Sequence, residues 1–375
     1  MSRGTIIYIG EFALPDRSAA ANRVVSNGKL FNSLGYKTVF LGAAASAEHF
    51  NGIRAVSGHN DMYEQAHPET AMQWVKHTLS TKEIVTLVEK YNDVKMVVLY
   101  NLPVVTLCLA KKELKKRSVE VAYDCTEWTG TTSGSFVKRA FKFIDEITVR
   151  RFVHKIADRM IVISSMMEKN YKSAKKLMKL PPLVDTDDGI WHQIPEEHGE
   201  AFEFCFAGVP DGKKESLDKV VGAFSSIEDE NVILRIIGVS ADEFRVMYPK
   251  TALTAETARK IDFMGALSHK QTIKHLLGTD CCVFFRDSDR RNNAGFPTKF
   301  AEAYTCGIPI ITTDVSDVGE YMREEKCGTL LDNPQIETIR SAMLGEIRKG
   351  CRADKSINTA FDYRAYQQQC KEWSE

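Results

Sequence analysis

The sequence is poor in the features that mark several common protein classes. It has no Walker phosphate loop, no CxxC pair, no Cys or His spacing typical of zinc, and no internal repeat or low-complexity tract. No apolar run is long enough to cross a bilayer, and Met1–Gly4 leads directly into a strand pattern without the apolar segment of a signal peptide. The nine cysteines are scattered, mostly in apolar runs, which is typical of buried free thiols in a reducing compartment. We therefore expect a cytoplasmic protein.

What is present is a chain of 375 residues with 43% hydrophobic and 27% charged residues, an ordinary composition for about two globular domains. The net charge of zero hides an asymmetry. Residues 1–183 contain 27 Lys and Arg against 17 Asp and Glu, a balance of +10, and the remaining residues contain 23 against 33, a balance of −10. A basic half favours an anionic partner. No nucleic acid-binding module accompanies this charge, so a membrane surface or a phosphate-linked acceptor fits better than nucleic acid.

Strand-like apolar runs alternate with helical patterns, which predicts parallel sheets covered by helices on both faces, an α/β fold. In the first half the predicted strands are Thr5–Ile9, Thr38–Leu41, Met96–Tyr100, Glu120–Tyr123 and Met160–Ile163. The predicted helices there are Ala20–Leu34, Pro68–His77, Lys82–Tyr91, Thr106–Lys116, Val137–Ala157 and Ser165–Tyr171. The proline-containing segment Lys179–Asp185 predicts a linker, after which a second domain begins.

The second half repeats the alternation. Its predicted strands are Glu203–Ala207, Val232–Ile237, Ile261–Met264, Cys281–Phe285, Ile308–Thr312 and Gly328–Leu331. Its predicted helices are Leu217–Ser225, His269–Leu277, Pro297–Thr305, Val318–Met322 and Glu337–Arg348. Two doubly wound domains are therefore expected.

The segment from Asn293 to Ile311 is the most informative part of the chain. It predicts a glycine loop, a helix with Pro297 at its first position, a glycine stop at Gly307 and a buried strand. The start of such a helix leaves backbone N–H groups free and carries partial positive charge, which suits a phosphate. Glu302 follows about one and a half turns later, where a carboxylate can reach the hydroxyls of a ribose. The alternative for Glu302 is a surface glutamate of an amphipathic helix.

This pattern resembles the donor site of the family 4 glycosyltransferases, retaining enzymes of the GT-B fold. Their signature is a glutamate, seven residues, a second glutamate and then a turn with glycine and proline. The second glutamate matches Glu302, and the turn matches Cys306–Pro309, whereas the first glutamate falls on Ala294. A branch of bacterial surface-polysaccharide transferases is similar here. The segment that the resemblance assigns to the donor comprises Asn293, Ala294, Gly295, Phe296, Pro297, Thr298, Lys299 and Glu302, with Asn292 beside the gap.

A second donor-binding segment begins after the strand that ends at Ala207. Gly208 opens a loop that carries Lys213 and Lys214 and leads into a helix. In the resembling family an arginine and a lysine here neutralise the nucleotide diphosphate. The lysine position falls on Lys214, and the arginine position falls on Val209, so we expect Arg286, just past a strand end, to supply the missing charge. A solvated lysine pair is the alternative.

Two segments of the first domain are further candidates. Asn22 and Arg23 open a helix after the first strand and are weak candidates for donor or acceptor contacts, because a plain helix start explains them almost as well. Asp124 and Glu127 follow another strand, where the C-terminal strand ends of an open α/β sheet line the ligand crevice. We expect a carboxylate there to hold an acceptor hydroxyl or to support positive charge on the sugar. The alternative is a turn aspartate that caps the next segment.

Val137–Arg159 interleaves seven basic residues with phenylalanines. A helix packed on its sheet with a solvated basic side explains this pattern most simply, and a face that rests on anionic lipid is the alternative. Peripheral contact with the inner face of the membrane is therefore one expectation.

The resemblance implies a GT-B protein whose two Rossmann-like domains face a central cleft. The expected domains are residues 1–183 with 358–375, which bind the acceptor, and residues 184–357, which bind the nucleotide sugar. The aromatic tail Phe361–Trp373 would return to the first domain. The implied activity is transfer of a sugar, of the hexosyltransferase type and most simply from a UDP donor, to a glycan, lipid-linked or protein acceptor. Neither a metal nor a permanently bound cofactor is implied.

The expected chemical groups are Lys214, Asp124, Glu127 and Arg286 for catalysis, with Lys299 at the helix start assisting charge stabilisation. Two alternatives stay open. Because Ala294 and Val209 replace charged family residues, the chain is alternatively an inactive GT-B module that binds nucleotide sugar or a partner transferase. A nucleotide-sugar epimerase of the same fold is the other enzyme class.

Overall fold

The structure is a computed structural model that describes residues 3–44, 52–68, 70–128, 136–195, 200–210, 215–229, 231–251, 253–254, 257–325, 327–350 and 356–375. For residues 136–138 and 325 it describes the backbone alone. The chain forms two compact units. The first comprises Met1–Asp185 and Asp362–Glu375, and the second comprises Thr186–Phe361. The divisions lie two and four residues beyond the positions expected from the sequence. The acceptor and donor roles of the two domains stay predictions.

The first unit is built on a sheet whose described strands are β1 Thr5–Gly10, β2 Lys37–Ala43, β3 Ile53–Ala55, β4 Met62–Gln65, β5 Val94–Tyr100, β6 Glu120–Cys125, β7 Arg159–Val162 and β8 Leu177–Lys179. Their spatial order is β3-β4-β2-β1-β5-β6-β7-β8, and the pairings are parallel except for antiparallel β3 and β4. Strands β2 to β4 lie on one side of β1, and strands β5 to β8 lie on the other side. The strand order therefore reverses between β1 and β5.

Helices connect these strands. They are α1 Ala19–Ser33, α2 Ala71–Leu79, α3 Lys82–Glu89, α4 Val104–Lys115, α5 Phe136–Ile156 and α6 Ser165–Asn170. Helix α1 begins after Ser18, whose hydroxyl accepts a hydrogen bond from the backbone N–H of Ala21 and so satisfies one free donor of the first turn. Every residue of β1 is buried, which is expected for a central parallel strand covered on both faces.

The C-terminal helix Gln367–Ser374 also belongs to the first unit, where it packs against α1 and β8. Asp185 ties the two ends of this unit together, because its carboxylate accepts hydrogen bonds from Lys29 at 2.7 Å and from Arg364 at 2.8 Å. Burial opposes the ionised form of Asp185, but the hydrogen bonds and charges of Lys29 and Arg364 outweigh burial and lower its pKa.

The second unit has the strands β9 Phe202–Ala207, β10 Val232–Ile237, β11 Ile261–Gly265, β12 Cys281–Val283, β13 Ile310–Thr312 and β14 Gly328–Leu330 among its described residues. All are parallel, in the order β11-β10-β9-β12-β13-β14. The order of this sheet therefore reverses between β9 and β12. Its helices are α7 Leu217–Ser225, α8 Ala241–Met247, α9 Thr257–Lys260, α10 His269–Gly278, α11 Arg290–Ala294, α12 Thr298–Thr305, α13 Val318–Glu325 and α14 Ile336–Lys349.

The predicted fold class, two Rossmann-like α/β units with parallel sheets, is confirmed. The structure adds elements that the sequence analysis missed: the short strands β3, β4 and β8, and the short helices α8, α9 and α11. A short strand is recognisable where it belongs to a longer apolar run, as β12 does in Cys281–Phe285, and the segments of β3, β4 and β8 contain no such run. The helices α8, α9 and α11 show too little of the helical period.

Candidate functional site

The carboxyl ends of β9 and β12 meet at the point where the strand order of the second unit reverses. In open α/β sheets this switch point is where ligands bind. Gly208 follows β9, and Arg286 lies three residues after the end of β12. The second unit therefore has a candidate site at the carboxyl ends of its central strands β9 and β12, in the unit that was expected to bind the donor.

The side chain of Lys299, in the first turn of α12, is buried beside these strand ends. Its Nζ lies 2.7 Å from Oε2 of Glu215 and 4.4 Å from the centre of the Phe206 ring. Burial lowers the pKa of Lys299, although the charge of Glu215 and its hydrogen bond favour the ammonium form and oppose that effect. A cation in the first turn of a helix is unfavourable without a nearby anion, and the carboxylate of Glu215 supplies that anion.

Arg286 completes a charge cluster with Glu215 and Lys299. One guanidinium nitrogen of Arg286 lies 3.6 Å from Oε1 of Glu215, and the two residues also form an isolated antiparallel backbone bridge. The Thr313 hydroxyl fixes the Arg286 backbone, accepting from its N–H at 3.1 Å and donating to its carbonyl at 2.7 Å. Among the described residues, none accepts a hydrogen bond from the buried Nε of Arg286. Two cations therefore share the Glu215 carboxylate.

Gly208 makes room for this cluster. Its φ of +135° is in a region that other residues rarely adopt, and a Cβ atom here would lie 2.8 Å from Nζ of Lys299. The absence of a side chain at Gly208 therefore leaves the space that the Lys299 ammonium occupies, and its role in donor binding stays a prediction.

Glu302 lies one turn after Lys299 on α12. Its Oε1 is 3.1 Å from Nε2 of His269, the first residue of α10, and both side chains are largely buried. Glu302 is thus held by a partner from another helix and is not the freely solvated surface residue that was the alternative. No local pattern in the sequence indicates a role for His269.

The start of α12 differs slightly from the prediction. The helix begins at Thr298, and Pro297 is its N-cap. The prediction had made Pro297 the first residue of the helix. The first bonded N–H is that of Phe300, which donates to the Pro297 carbonyl, so the N–H groups of Thr298 and Lys299 precede it. The helix is anchored by an aromatic cluster comprising Phe296, Phe300, Tyr304, Tyr321 and Phe361.

The expected glycine loop before α12 is largely a helix, because residues 290–294 form α11 capped by Asp289. The Asn292 side chain is buried and donates to the Asp287 carbonyl, and the side-chain amide oxygen Oδ1 of Asn293 accepts from the backbone N–H of Ser316. Both side-chain amides therefore hold this segment, and a role of Asn293 in donor binding stays a prediction. Ala294 and Phe296 are buried as well, so neither offers a side chain to a ligand, and Gly295 is held by Ser316 through its carbonyl.

Lys213 and Lys214 lie outside the described residues, so their expected role in binding a diphosphate stays a prediction. Glu215, the residue directly after them, is the functional candidate of this segment that the sequence analysis overlooked. Its neighbours in sequence are two lysines and a helix start, and nothing local indicates that its carboxylate turns inward to Lys299 and Arg286. Val209 is largely exposed and adds no charge.

In the first unit, Asp124 is fully buried at the end of β6. Its carboxylate accepts hydrogen bonds from Tyr8 at 2.6 Å and from Arg23 at 3.0 Å, and Asn27 lies 3.4 Å away. Arg23 is buried too and donates to the carbonyl oxygens of Leu180 and Pro181. This geometry does not fit the direct contact with an acceptor hydroxyl that was expected for Asp124, because both carboxylate oxygens are enclosed. Asp124 and Arg23 instead join β1, α1, β6 and the linker.

Glu127, three residues further on, is exposed, whereas its neighbour Trp128 is buried and donates to the Tyr171 hydroxyl at 3.0 Å. Glu127 therefore stays a candidate for contact with an acceptor. Asn22 is half-buried in the first turn of α1, where its backbone N–H donates to the Ser18 carbonyl. That is the plain helix start which the sequence analysis gave as the alternative.

Within the described part of the chain, the acidic residues, histidines and cysteines form no cluster of three or more that could hold a metal ion. Nor does any described helix have the length and apolar character needed to span a membrane.

Comparison with known proteins places this arrangement in a class. Residues 188–354, which include the whole site of the second unit, match the family model of the glycosyl transferases group 1. The chain therefore contains a glycosyl transferase group 1 domain and is a glycosyltransferase. No curated protein sequence matches the chain.

Many solved structures share its fold, among them the following three. Sucrose-phosphate synthase from Thermosynechococcus elongatus is 14% identical with a TM-score of 0.73, covering 99% of this chain and 98% of its own. Anabaena Alr3699/HepE in complex with UDP-glucose is 12% identical with a TM-score of 0.68, covering 99% of each chain. WaaG, a glycosyltransferase involved in lipopolysaccharide biosynthesis, is 13% identical with a TM-score of 0.61, covering 98% of this chain and 95% of its own. The fold is thus that of GT-B glycosyltransferases.

Proposed function

We propose that this glycosyltransferase transfers a sugar from a UDP-sugar donor with retention of configuration, and that the donor binds at the edge of the second sheet. One observation carries this proposal: Lys299 and Arg286 are brought together beside the start of α12, at the ends of β9 and β12. A complex of UDP-glucose with a protein of the same fold supports UDP as the nucleotide.

The two cations suit a diphosphate for an electrostatic reason. The bond from the anomeric carbon to the diphosphate oxygen breaks during transfer, and negative charge develops on that oxygen. Preorganised cations stabilise such charge without reorganising during the reaction. Lys299 and Arg286 are already oriented by Glu215, and Lys214 would add a third cation from the neighbouring loop. Glu215 is proposed as a positioning residue, because its carboxylate contacts both cations.

Glu302 lies in the position proposed to bind the ribose. A carboxylate accepts hydrogen bonds from the 2′- and 3′-hydroxyls, and His269 would fix its orientation. In the retaining reaction the acceptor oxygen bonds to the anomeric carbon on the face that the diphosphate leaves. The acceptor hydroxyl gives its proton to a phosphate oxygen. The protein contributes mainly orientation and charge stabilisation, and Glu127 of the first unit is proposed to contact the acceptor.

The alternative is a catalytically inactive module that binds nucleotide sugar or a partner transferase. The burial of Ala294 favours it, because the position of the first family glutamate offers no polar group to the donor sugar. For location, the eight free cysteines among the described residues support a reducing compartment, and we place the reaction in the cytoplasm.

The test combines binding with turnover. Thermal unfolding is measured with UDP, GDP and ADP, and then with their sugar conjugates, since a ligand that binds only the folded state raises the unfolding temperature. We expect the largest increase with UDP. Incubation with the stabilising UDP-sugar should release UDP, slowly with water and faster with an acceptor. No stabilisation by any nucleotide would contradict the donor site, and stabilisation without turnover under any acceptor would favour the inactive module.

A further inference from the structure

The hydroxyl of Thr313 contacts both backbone groups of a single residue. It accepts a hydrogen bond from the N–H of Arg286 at 3.1 Å and donates one to the carbonyl oxygen of Arg286 at 2.7 Å. Thr313 is buried, with 5% of its surface exposed. One small side chain therefore satisfies the backbone donor and the backbone acceptor of Arg286 at the candidate donor site.

This contact continues the hydrogen-bond ladder between β12 and β13 beyond the ends of both strands. Inside the ladder the N–H of Phe284 donates to the carbonyl of Ile311 at 3.1 Å, and these two residues are 27 positions apart, as Arg286 and Thr313 are. Bonds of a parallel pair recur along the strands at a regular spacing. The next one would join the N–H of Arg286 to the carbonyl of Thr313, and the Thr313 hydroxyl accepts in its place.

The position of the Arg286 cation depends on this backbone. The nearest carboxylate oxygen, Oε1 of Glu215, lies 3.6 Å from a guanidinium nitrogen, which is an ion pair beyond hydrogen-bond range. Within the described part of the chain, the buried Nε of Arg286 has no acceptor. An isolated backbone bridge joins Arg286 to Glu215 as well. Backbone contacts, rather than hydrogen bonds of the guanidinium, therefore determine where this cation lies.

We propose that Thr313 is a positioning residue for the donor diphosphate, and that it acts by fixing the backbone of Arg286. The inference rests on the proposed function, in which Arg286 binds the diphosphate. A cation that is oriented before the donor arrives stabilises phosphate charge without a further ordering cost. Without the Thr313 hydroxyl the cation is still present, but its backbone is no longer held. The affinity for a diphosphate then falls although no charged group has been removed.

Thr312, the preceding residue, provides a matched control. It is fully buried, and among the described residues its hydroxyl has no hydrogen-bond partner. Replacement by valine exchanges one hydroxyl for one methyl group at either position. Thr312→Val should therefore leave donor binding unchanged, whereas Thr313→Val removes two hydrogen bonds from Arg286.

Isothermal titration calorimetry of the intact protein with UDP and with uridine measures the effect. Thr313→Val should raise the Kd for UDP about fivefold, which is the size expected for the net loss of one hydrogen bond. The Kd for uridine should not change, because uridine has no diphosphate. Thr313→Ser keeps the hydroxyl and should bind UDP nearly as tightly as the wild type. A general loosening of the site would instead weaken both ligands alike.

A double-mutant cycle tests whether Thr313 acts through Arg286. Arg286→Gln removes the guanidinium and should raise the Kd for UDP about tenfold or more. Adding Thr313→Val to that variant should raise the Kd no further, because no cation is left to position. Residues that act independently would give additive effects instead.

Thermal unfolding without ligand shows whether each variant stays folded. If Thr313→Val unfolds, Thr313→Cys replaces the hydroxyl with a thiol, which is a weak donor and a weak acceptor, and the same comparisons apply. The positioning role is overturned if the folded variant binds UDP as tightly as the wild type, loses UDP and uridine binding alike, or weakens UDP binding no more than Thr312→Val. Additivity with Arg286→Gln overturns it as well.

Failure of the donor site gives a different result. If the wild-type protein binds no UDP, or if Arg286→Gln binds it as tightly as the wild type, the assignment of Arg286 and the role of Thr313 are both wrong. If Arg286→Gln weakens UDP binding and Thr313→Val does not, only the role of Thr313 is wrong. All of these measurements are binding constants, so they do not require a known acceptor.

Discussion

Replacing Lys299 with methionine tests the donor site most directly. Methionine keeps most of the length and apolar volume of the lysine side chain, so its contacts with the Phe206 ring can persist while the charge is lost. The change also removes the cation 2.7 Å from Glu215 and leaves that carboxylate with Arg286 at 3.6 Å. Breaking a buried ion pair on one side costs about 3–5 kcal/mol. A double variant, Lys299→Met with Glu215→Gln, removes one charge of each sign, so the net charge of the cluster is kept although Arg286 loses its carboxylate. It serves as the second test if the single variant unfolds.

The effect on UDP binding follows from the strength of a charged hydrogen bond. Removing one such contact to a phosphate costs about 1.5–3 kcal/mol, which raises Kd roughly 10- to 150-fold. At a UDP concentration 100 times the wild-type Kd, binding stabilises the folded protein by about 2.7 kcal/mol. A 100-fold increase in Kd reduces this to about 0.4 kcal/mol. For a domain of this size the UDP-induced rise in Tm should fall from roughly 5–10 °C to about 1 °C.

Differential scanning fluorimetry and isothermal titration calorimetry with UDP provide the measurement. The matched control is Lys260→Met, because Lys260 directly precedes β11 and so lies at the opposite, N-terminal edge of the same sheet. This control should keep the full UDP-induced shift. A folded Lys299→Met protein, single or double, that binds UDP as tightly as the wild type would refute the assignment of Lys299 to the diphosphate.

Three further predictions concern other residues. Glu302→Ala should raise the Kd for UDP by about tenfold and the Kd for free diphosphate hardly at all, since only the ribose contact is lost; equal loss for both ligands would contradict the ribose role. Asp124→Asn should destabilise the protein by about 3–5 kcal/mol in urea, because Arg23 would be left buried without its counter-charge, while UDP binding is retained. Asp185 has a folded pKa below its unfolded value of about 3.9, so its stabilisation is present above that pH and is lost as the pH falls through the folded pKa. Asp185→Asn should therefore show a shallower loss of Tm between pH 5 and about 2 than the wild type, and identical slopes would contradict this.

Much of the fold was predictable because its signals are local. The long strands, such as Thr5–Gly10 and Val232–Ile237, carry apolar runs, which Arg235 alone interrupts in the second, and helices such as Leu217–Ser225 carry clear periodicity. Some short strands and helices were not predicted, for the opposite reason. Leu177–Lys179 and Ala241–Met247 are too brief for a period to be visible, and tertiary packing decides their conformation.

The candidate site was predictable only in part, because its partners are distant in sequence. Lys299 and Glu302 were found from the helix start in which they lie. Glu215 and His269, which pair with them, are 84 and 33 residues away (299 − 215 and 302 − 269), and no local pattern indicates either contact. Asp124 shows the converse error. A polar residue at a strand end suggests a ligand contact, but Arg23 and Tyr8 enclose it in the interior.

The replacement of the family arginine by Val209 is the clearest case in which geometry matters more than sequence position. A diphosphate requires cations near its oxygens, and its stabilisation does not depend on which strand carries them. Strands β9 and β12 are hydrogen-bonded neighbours, with Cys205 opposite Cys282, and neighbouring strands lie about 4.8 Å apart. A cationic side chain that follows β12 can therefore lie near the same ligand position as the arginine that follows β9 in the resembling family. Arg286 is in that place, its backbone held by Thr313 and its guanidinium beside Glu215. The exposed Val209 is consequently weak evidence for an inactive module, and the buried Ala294 is the departure that bears on catalysis.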